Sequence, residues 1–192
     1  MRISGGAARG ITLQVPKGDA VRPATDGMRQ AIFSSLGPRV VGARFLDLFA
    51  GSGAYGLEAL SRGAAGGVWV EQHARTVGLL RRNITAVCRS LGRDETDLQV
   101  VAGDAVKVPW PVAEARPDLV FIDPPYPIIA EVAPAIFARL SELLGQNADA
   151  LVLFELPGGL ELNPAGWACV RRIGKGVRQP TVAVFRREGG PR

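Results

Sequence analysis

Five short apolar runs, separated mostly by amphipathic stretches, constrain this chain more than any other feature. Residues 44–48, 67–71, 98–102, 119–122 and 150–155 are rich in Val, Leu, Ile and Phe and have strand length. Residues 56–62, 74–91 and 129–144 repeat apolar positions at helical spacing, whereas 107–115 is a short polar connection. Strand and helix in alternation specify a parallel sheet covered on both faces. Two more runs, 168–173 and 181–186, are joined by too few residues for a helical crossover, so that pair is expected to be antiparallel. The fold class is α/β: seven strands, mostly parallel, with the last reversed. Ahead of it, residues 1–25 carry Gly5, Gly6, Gly10 and Pro16 and read as a short β-hairpin appended to the domain, followed by a helix over 29–36. With 192 residues, 47% of them hydrophobic, one domain spanning 1–192 is the simplest division.

Several classes drop out. The N-terminus has no apolar signal segment and no run is long enough to cross a bilayer, so the chain reads as a soluble, cytoplasmic protein. Cys88 and Cys169 lie far apart without CxxC spacing, and His73 is the only histidine. Neither a disulfide framework nor a metal site is expected, and both thiols read as buried. The net charge of +5 is carried almost wholly by arginine, since only Lys17, Lys107 and Lys175 are lysines. Arginine suits phosphate forks and base stacking, although the Arg, Ala and Gly bias of a GC-rich genome accounts for the composition equally well.

After the first strand comes Asp47-Leu48-Phe49-Ala50-Gly51-Ser52-Gly53-Ala54-Tyr55-Gly56, a GxGxxG turn between a strand and a helix. Glu71 closes the second strand about twenty residues later, where an acid can bind ribose hydroxyls. Asp47 discriminates between ligands. A pyrophosphate is repelled by a carboxylate at this strand end, whereas a cationic ligand with a sulfonium and an ammonium group, S-adenosylmethionine, is attracted. Asp104, after the third strand, is placed for adenine. The expected donor site comprises Asp47, Phe49, Ala50, Gly51, Ser52, Gly53, Gly56, Glu71, Gln72, Gly103, Asp104 and Ala105. Each acid alone is also compatible with a helix cap or a solvated loop; three at successive strand ends favour a ligand edge.

The fourth strand ends in Phe121-Ile122-Asp123-Pro124-Pro125-Tyr126-Pro127. Asp-Pro and Pro-Pro are ordinary strand breakers. Beside a methyl donor they become a stiff ledge: the Asp123 carboxylate and the Pro124 carbonyl can each accept one N–H of an exocyclic amino group, aiming its lone pair, while Tyr126 stacks on the base. Asp123, Pro124, Pro125 and Tyr126 are the expected catalytic residues, with no metal.

In these motifs the sequence resembles the bacterial family that methylates the N2 amino group of one guanine in small-subunit ribosomal RNA. The resemblance begins at Met1-Arg2-Ile3, Gly5-Gly6, Arg9-Gly10, Arg22-Pro23, Thr25-Asp26 and Arg29. It continues through 46–53, 56–64, Glu71, Asn83 and Asp123-Pro124-Pro125-Tyr126. It implies a Rossmann-like class I methyltransferase fold, S-adenosylmethionine as donor and ribosomal RNA in a partly assembled small subunit as substrate. It also implies that Arg22, Thr25 and Arg29 sit near the substrate or donor entrance; from the residues alone they read as a basic, partly exposed arm able to grip phosphates. Gly27 stands where the family usually has arginine, and Val177-Arg178-Gln179-Pro180-Thr181 replaces a Tyr-Gly-Asp-Thr-like segment. Other classes weighed against this are a nucleotide-binding oxidoreductase, a DNA adenine-N6 methyltransferase and a noncatalytic RNA-binding assembly protein. His73 reads as an incidental loop residue, Trp69 as core, Trp110 and Trp167 as packing residues, and Arg81, Arg82, Arg171 and Arg172 as solvated or RNA-facing cations.

Overall fold

The computed structural model describes residues 1–16, 26–112, 116–145, 149–174 and 176–189. Arg22 and Thr25 lie outside the described residues. In chain order the elements are α1 (Asp26–Leu36), β1 (Arg44–Leu48), α2 (Ala54–Ser61), β2 (Gly66–Glu71), α3 (Ala74–Leu91), β3 (Leu98–Ala102), β4 (Leu119–Ile122), α4 (Ile129–Leu144), β5 (Leu151–Pro157), β6 (Trp167–Gly174) and β7 (Pro180–Arg187). The strands form one sheet in the order β3-β2-β1-β4-β5-β7-β6. β7 runs antiparallel to both neighbours, and the pairs among β1 to β5 are parallel. The order reverses between β1 and β4, the point at which open α/β sheets leave a ligand crevice at their carboxyl ends.

β4 is apolar at all four positions because helices cover both faces of the sheet. On one face Phe45, Trp69, Phe121 and Leu153 pack under Phe33, Leu57, Leu80 and Ile84; on the other Leu46, Val70, Val120, Ile122 and Phe154 pack under Ile136, Phe137 and Leu140. α2 begins at Ala54, two residues ahead of the expected start. β5 extends to Pro157, which sets Glu155 inside the strand rather than at its end. β6 is an edge strand with mostly exposed positions, and this corrects the expectation for Cys169: it is exposed, whereas Cys88 lies on the buried face of α3. Trp69 and Trp167 are buried, as read; Trp110 stacks under Arg139 with the guanidinium carbon 3.8 Å from the ring centroid.

The N-terminal hairpin closes through the Arg2 and Thr12 bridge, with Ile3 N–H donating to Ile11 O (3.0 Å) and Leu13 N–H to Met1 O (3.0 Å). It is docked on α2. Ser61 accepts the Ala7 N–H through its carbonyl (2.7 Å) and the Ala8 N–H through its hydroxyl (2.9 Å), while Glu58 accepts the Ser4 N–H and hydroxyl, both at 2.8 Å. Gly6 is tied to this contact, since a Cβ there would stand 1.9 Å from Ser61 O.

Candidate active site

The strand-to-helix turn after β1 is built by packing. Gly53 adopts φ 81° and caps α2; a Cβ on Gly56 would lie 2.4 Å from Trp69 Nε1 and 2.5 Å from Phe45 Cε2, so only glycine lets α2 settle this close to the sheet. Phe49 is the one non-glycine with positive φ among the described residues, at 59°. A bulky residue held there costs about 1–2 kcal/mol, and such strain concentrates at ligand-binding turns.

Asp47 lies under this turn, 1% exposed, and its Oδ2 accepts the Gly56 N–H at 3.0 Å. The carboxylate thus satisfies a first-turn donor of α2, the capping role open to it from sequence. Among the described residues it has no ion-pair partner. The indole N–H of Trp69 is close enough to favour its ionised form but makes no full hydrogen bond. Burial, with Glu71 nearby adding repulsion, raises the Asp47 carboxyl to about 8. A buried acid without a cation fits a cationic ligand entering from the crevice.

Glu71 ties the end of β2 to the glycine turn: Oε2 accepts the Gly51 N–H (2.9 Å) and Oε1 the His73 N–H (2.8 Å). Each oxygen retains a lone pair for a hydroxyl. Gln72 and His73 follow on the surface, side chain to side chain at 3.4 Å. Asp104 is more open. Its Oδ1 accepts the Val106 N–H (2.9 Å) and its Oδ2 faces Lys107 Nζ at 3.3 Å. Gly103, extended at φ 158°, packs on Val108 and ties the loop after β3 to the end of β2 through its N–H to Glu71 O (2.9 Å). Arg139 reaches from α4 to the Ala105, Val106 and Val108 carbonyls (2.6–2.8 Å) and fixes this loop, a role spanning more than thirty positions of sequence that no local pattern announces. Asn83 of α3 does the same for Ser52, whose carbonyl accepts from Nδ2 at 2.9 Å, while also clamping both backbone groups of Gln14.

The ledge after β4 stands on the same edge. Asp123 N–H donates to Leu48 O (3.3 Å), and a tight turn over Tyr126–Ile128 leads into α4. Among the described residues the Asp123 side chain has no hydrogen-bond donor and the Pro124 carbonyl accepts no hydrogen bond. Tyr126 is 42% exposed. Burial, then the charges of Glu155 and Asp47, push the Asp123 carboxyl well above its usual range. Burial, then the same kind of repulsion from Glu155 and Asp123, raises the Tyr126 hydroxyl to about 12.

Two neighbours were missed from sequence. Glu155 is 2% exposed and accepts the Tyr55 hydroxyl at 2.6 Å. An acid interrupting the run Leu151-Val152-Leu153-Phe154 was the available signal for Glu155; Tyr55, inside the glycine turn, had none. For Arg29 the expected partly exposed setting is corrected. The side chain is fully buried, donates from Nη2 to Arg2 O and to Asp26 Oδ1 (both 2.6 Å), and lies 3.8 Å from Glu58. It joins α1, α2 and the hairpin rather than gripping phosphates at the surface, and its charge reaches Glu155 and Tyr55.

Three acids at the ends of β1, β2 and β3, a glycine turn, and an acid-proline ledge at the sheet's switch point define a protein of the Rossmann-like class I methyltransferase fold. The RNA methyltransferase from Salinibacter ruber in complex with S-adenosyl-L-homocysteine shares that fold, with a TM-score of 0.60 at 16% identity over 88% of this chain and 97% of that one. The solved structure of yhhF from Escherichia coli matches at a TM-score of 0.74, with 32% identity over 98% of both chains. The chain is 34% identical to ribosomal RNA small subunit methyltransferase D of Escherichia coli strain K12, covering 98% of this chain and 90% of that one. To the Haemophilus influenzae protein of the same name it is 29% identical, over 92% of this chain and 90% of that one. The family model described as "Conserved hypothetical protein 95" matches residues 1–182, and the chain belongs to that family.

Proposed function

We propose that this chain transfers a methyl group from S-adenosylmethionine to the exocyclic N2 amino group of a guanine in small-subunit ribosomal RNA. One observation carries the reading. Among the described residues the Asp123 carboxyl and the Pro124 carbonyl are acceptors without donors, next in sequence to the exposed Tyr126, on the edge that bears Asp47, Glu71 and Asp104. The relatives named for ribosomal RNA small subunit methylation support the substrate class.

The donor, when bound, supplies an electrophilic methyl on a sulfonium. Asp47 holds positive charge at the glycine turn, Glu71 accepts from ribose hydroxyls, and the Asp104–Ala105 loop takes the adenine. Phe49, Ala50, Gly51, Ser52, Gly53 and Gly56 form the turn, with Gln72 and Gly103 at its flanks. At the ledge, Asp123 and Pro124 each accept one N–H of the amino group, turning its lone pair out of conjugation with the ring, and Tyr126 stacks on the base to fix its plane. Pro125 keeps the ledge rigid. Arg22 and Thr25 serve the substrate side, and Arg29 supports it from within. We assign residues 1–25 as an arm on a single domain, working in the cytoplasm on partly assembled subunits. The test is to incubate the purified chain with S-adenosylmethionine and small subunits from cells lacking this activity, then digest the RNA and identify the methylated nucleoside by mass spectrometry. N2-methylguanosine at one position is expected; N6-methyladenosine or no methylated product overturns the reading.

A further inference from the structure

Glu155 has no part in the chemistry above, yet it is held beside Asp123. In the parallel ladder Ile122 pairs with Phe154, so the next step along both strands sets Asp123 and Glu155 next to each other. Glu155 is anchored: Tyr55 donates to its Oε2 at 2.6 Å, and the Tyr55 ring lies flat on Phe121, centroids 5.4 Å apart with 7° between planes. Burial raises the Glu155 carboxyl, while the Tyr55 hydroxyl and the charge of the buried Arg29 act against that and favour its anionic form. Asp123 has no such support. Among the described residues, the ionisable groups facing it are Glu155 from β5, Asp47 from β1, Tyr55 from α2 and Tyr126 from the following turn, none of them a cation. Two adjacent carboxyls, Glu155 buried and Asp123 partly so, cannot both remain ionised without cost. A hydroxyl donor and an arginine offset part of the rise that burial causes at Glu155, so Asp123 is the more basic of the two carboxyls and, once ionised, the better proton acceptor.

We propose that Glu155, fixed by Tyr55, is a positioning residue that makes Asp123 the acceptor of the proton released from the amino nitrogen. This rests on the reading of the site as an amino-group methyltransferase. The nitrogen lone pair forms the new N–C bond, and the S–C bond breaks with its electron pair left on sulfur. The proton lost from nitrogen goes to an Oδ of the ionised Asp123 carboxylate and passes to water when the product leaves, so the rate falls on the acid side as Asp123 becomes protonated.

The test is a carboxyl-carbon NMR titration of the full chain, labelled with 13C at Asp and Glu, comparing wild type with Glu155→Gln and using Asp123→Asn to assign the signal. The wild-type Asp123 signal is expected to titrate above the ordinary carboxylate range, and Glu155→Gln to lower its midpoint by about one pH unit or more, as removal of an adjacent like charge does. In single-turnover methyl transfer to small subunits, the acidic limb of the rate is expected to move down with it while donor affinity is unchanged. Tyr55→Phe, which keeps the stacked ring, raises the Glu155 midpoint and gives a second variant if Glu155→Gln does not fold. An Asp123 midpoint that is the same in wild type and Glu155→Gln, or a Glu155 midpoint unmoved by Tyr55→Phe, overturns the inference. If the midpoints move and no RNA is methylated, the acid pair stands and the assigned reaction fails.

Discussion

Asp47, buried, and Asp123, half-buried, share one edge of the sheet and one difficulty, a carboxyl with no cation beside it among the described residues, but are assigned different tasks. For Asp47 the raised value of about 8 has a definite sign. The unfolded chain loses this proton near the ordinary value of 3.8 and the folded chain keeps it, so this residue's contribution to stability is present at low pH and is lost as pH rises through about 8. A cationic ligand binds the ionised form. Affinity for S-adenosylmethionine is therefore expected to rise with pH up to that value, with proton release visible as a buffer-dependent heat in calorimetry. Asp47→Ala is expected to weaken donor binding by about ten- to a hundredfold, the worth of a charge-assisted contact, with a smaller effect on turnover at saturation. Asp123→Ala should do the reverse, lowering single-turnover rate by about 10²–10³-fold with the donor dissociation constant nearly unchanged. Both aspartates could be read from their strand ends. Glu155 and the buried placement of Arg29 could not, because each depends on a neighbour about 30 to 100 positions away.

Among the elements, the turn between β1 and α2 is where sequence and packing are most tightly joined. The spacing of Gly51, Gly53 and Gly56 was visible, but the reason for the third glycine is the Trp69 and Phe45 rings beneath it. Gly56→Ala is expected to cost about 1–3 kcal/mol by overpacking, read as a lower denaturant midpoint, and to weaken donor binding by displacing the N–H that Asp47 accepts. The central parallel strands β1, β2, β4 and β5 were readable because burial on both faces leaves them almost continuously apolar. The ends of α2 and β5 were not, since a cap and a register decide them. The hairpin on α2 shows the same limit: Gly5 and Gly6 announced a turn, whereas only the fold shows Ser61 and Glu58 holding it. Ser61→Ala, which leaves the buried Ala8 N–H without a partner, is expected to cost about 1–3 kcal/mol in the same denaturation experiment.

At the level of the whole molecule, the sheet order collects onto one edge acids that are up to 108 positions apart, from Asp47 to Glu155. Among the described residues no helix is long and apolar enough to cross a membrane, and no cluster of metal ligands is present. The account as a whole stands on where the donor lies relative to the ledge. A crystal structure of the chain with S-adenosylhomocysteine measures this directly. The expected result places the amino group at Asp47, the ribose at Glu71, the adenine on the Asp104–Ala105 loop and the sulfur facing Asp123 and Tyr126. A molecule bound elsewhere, or a sulfur turned away from that ledge, would contradict it.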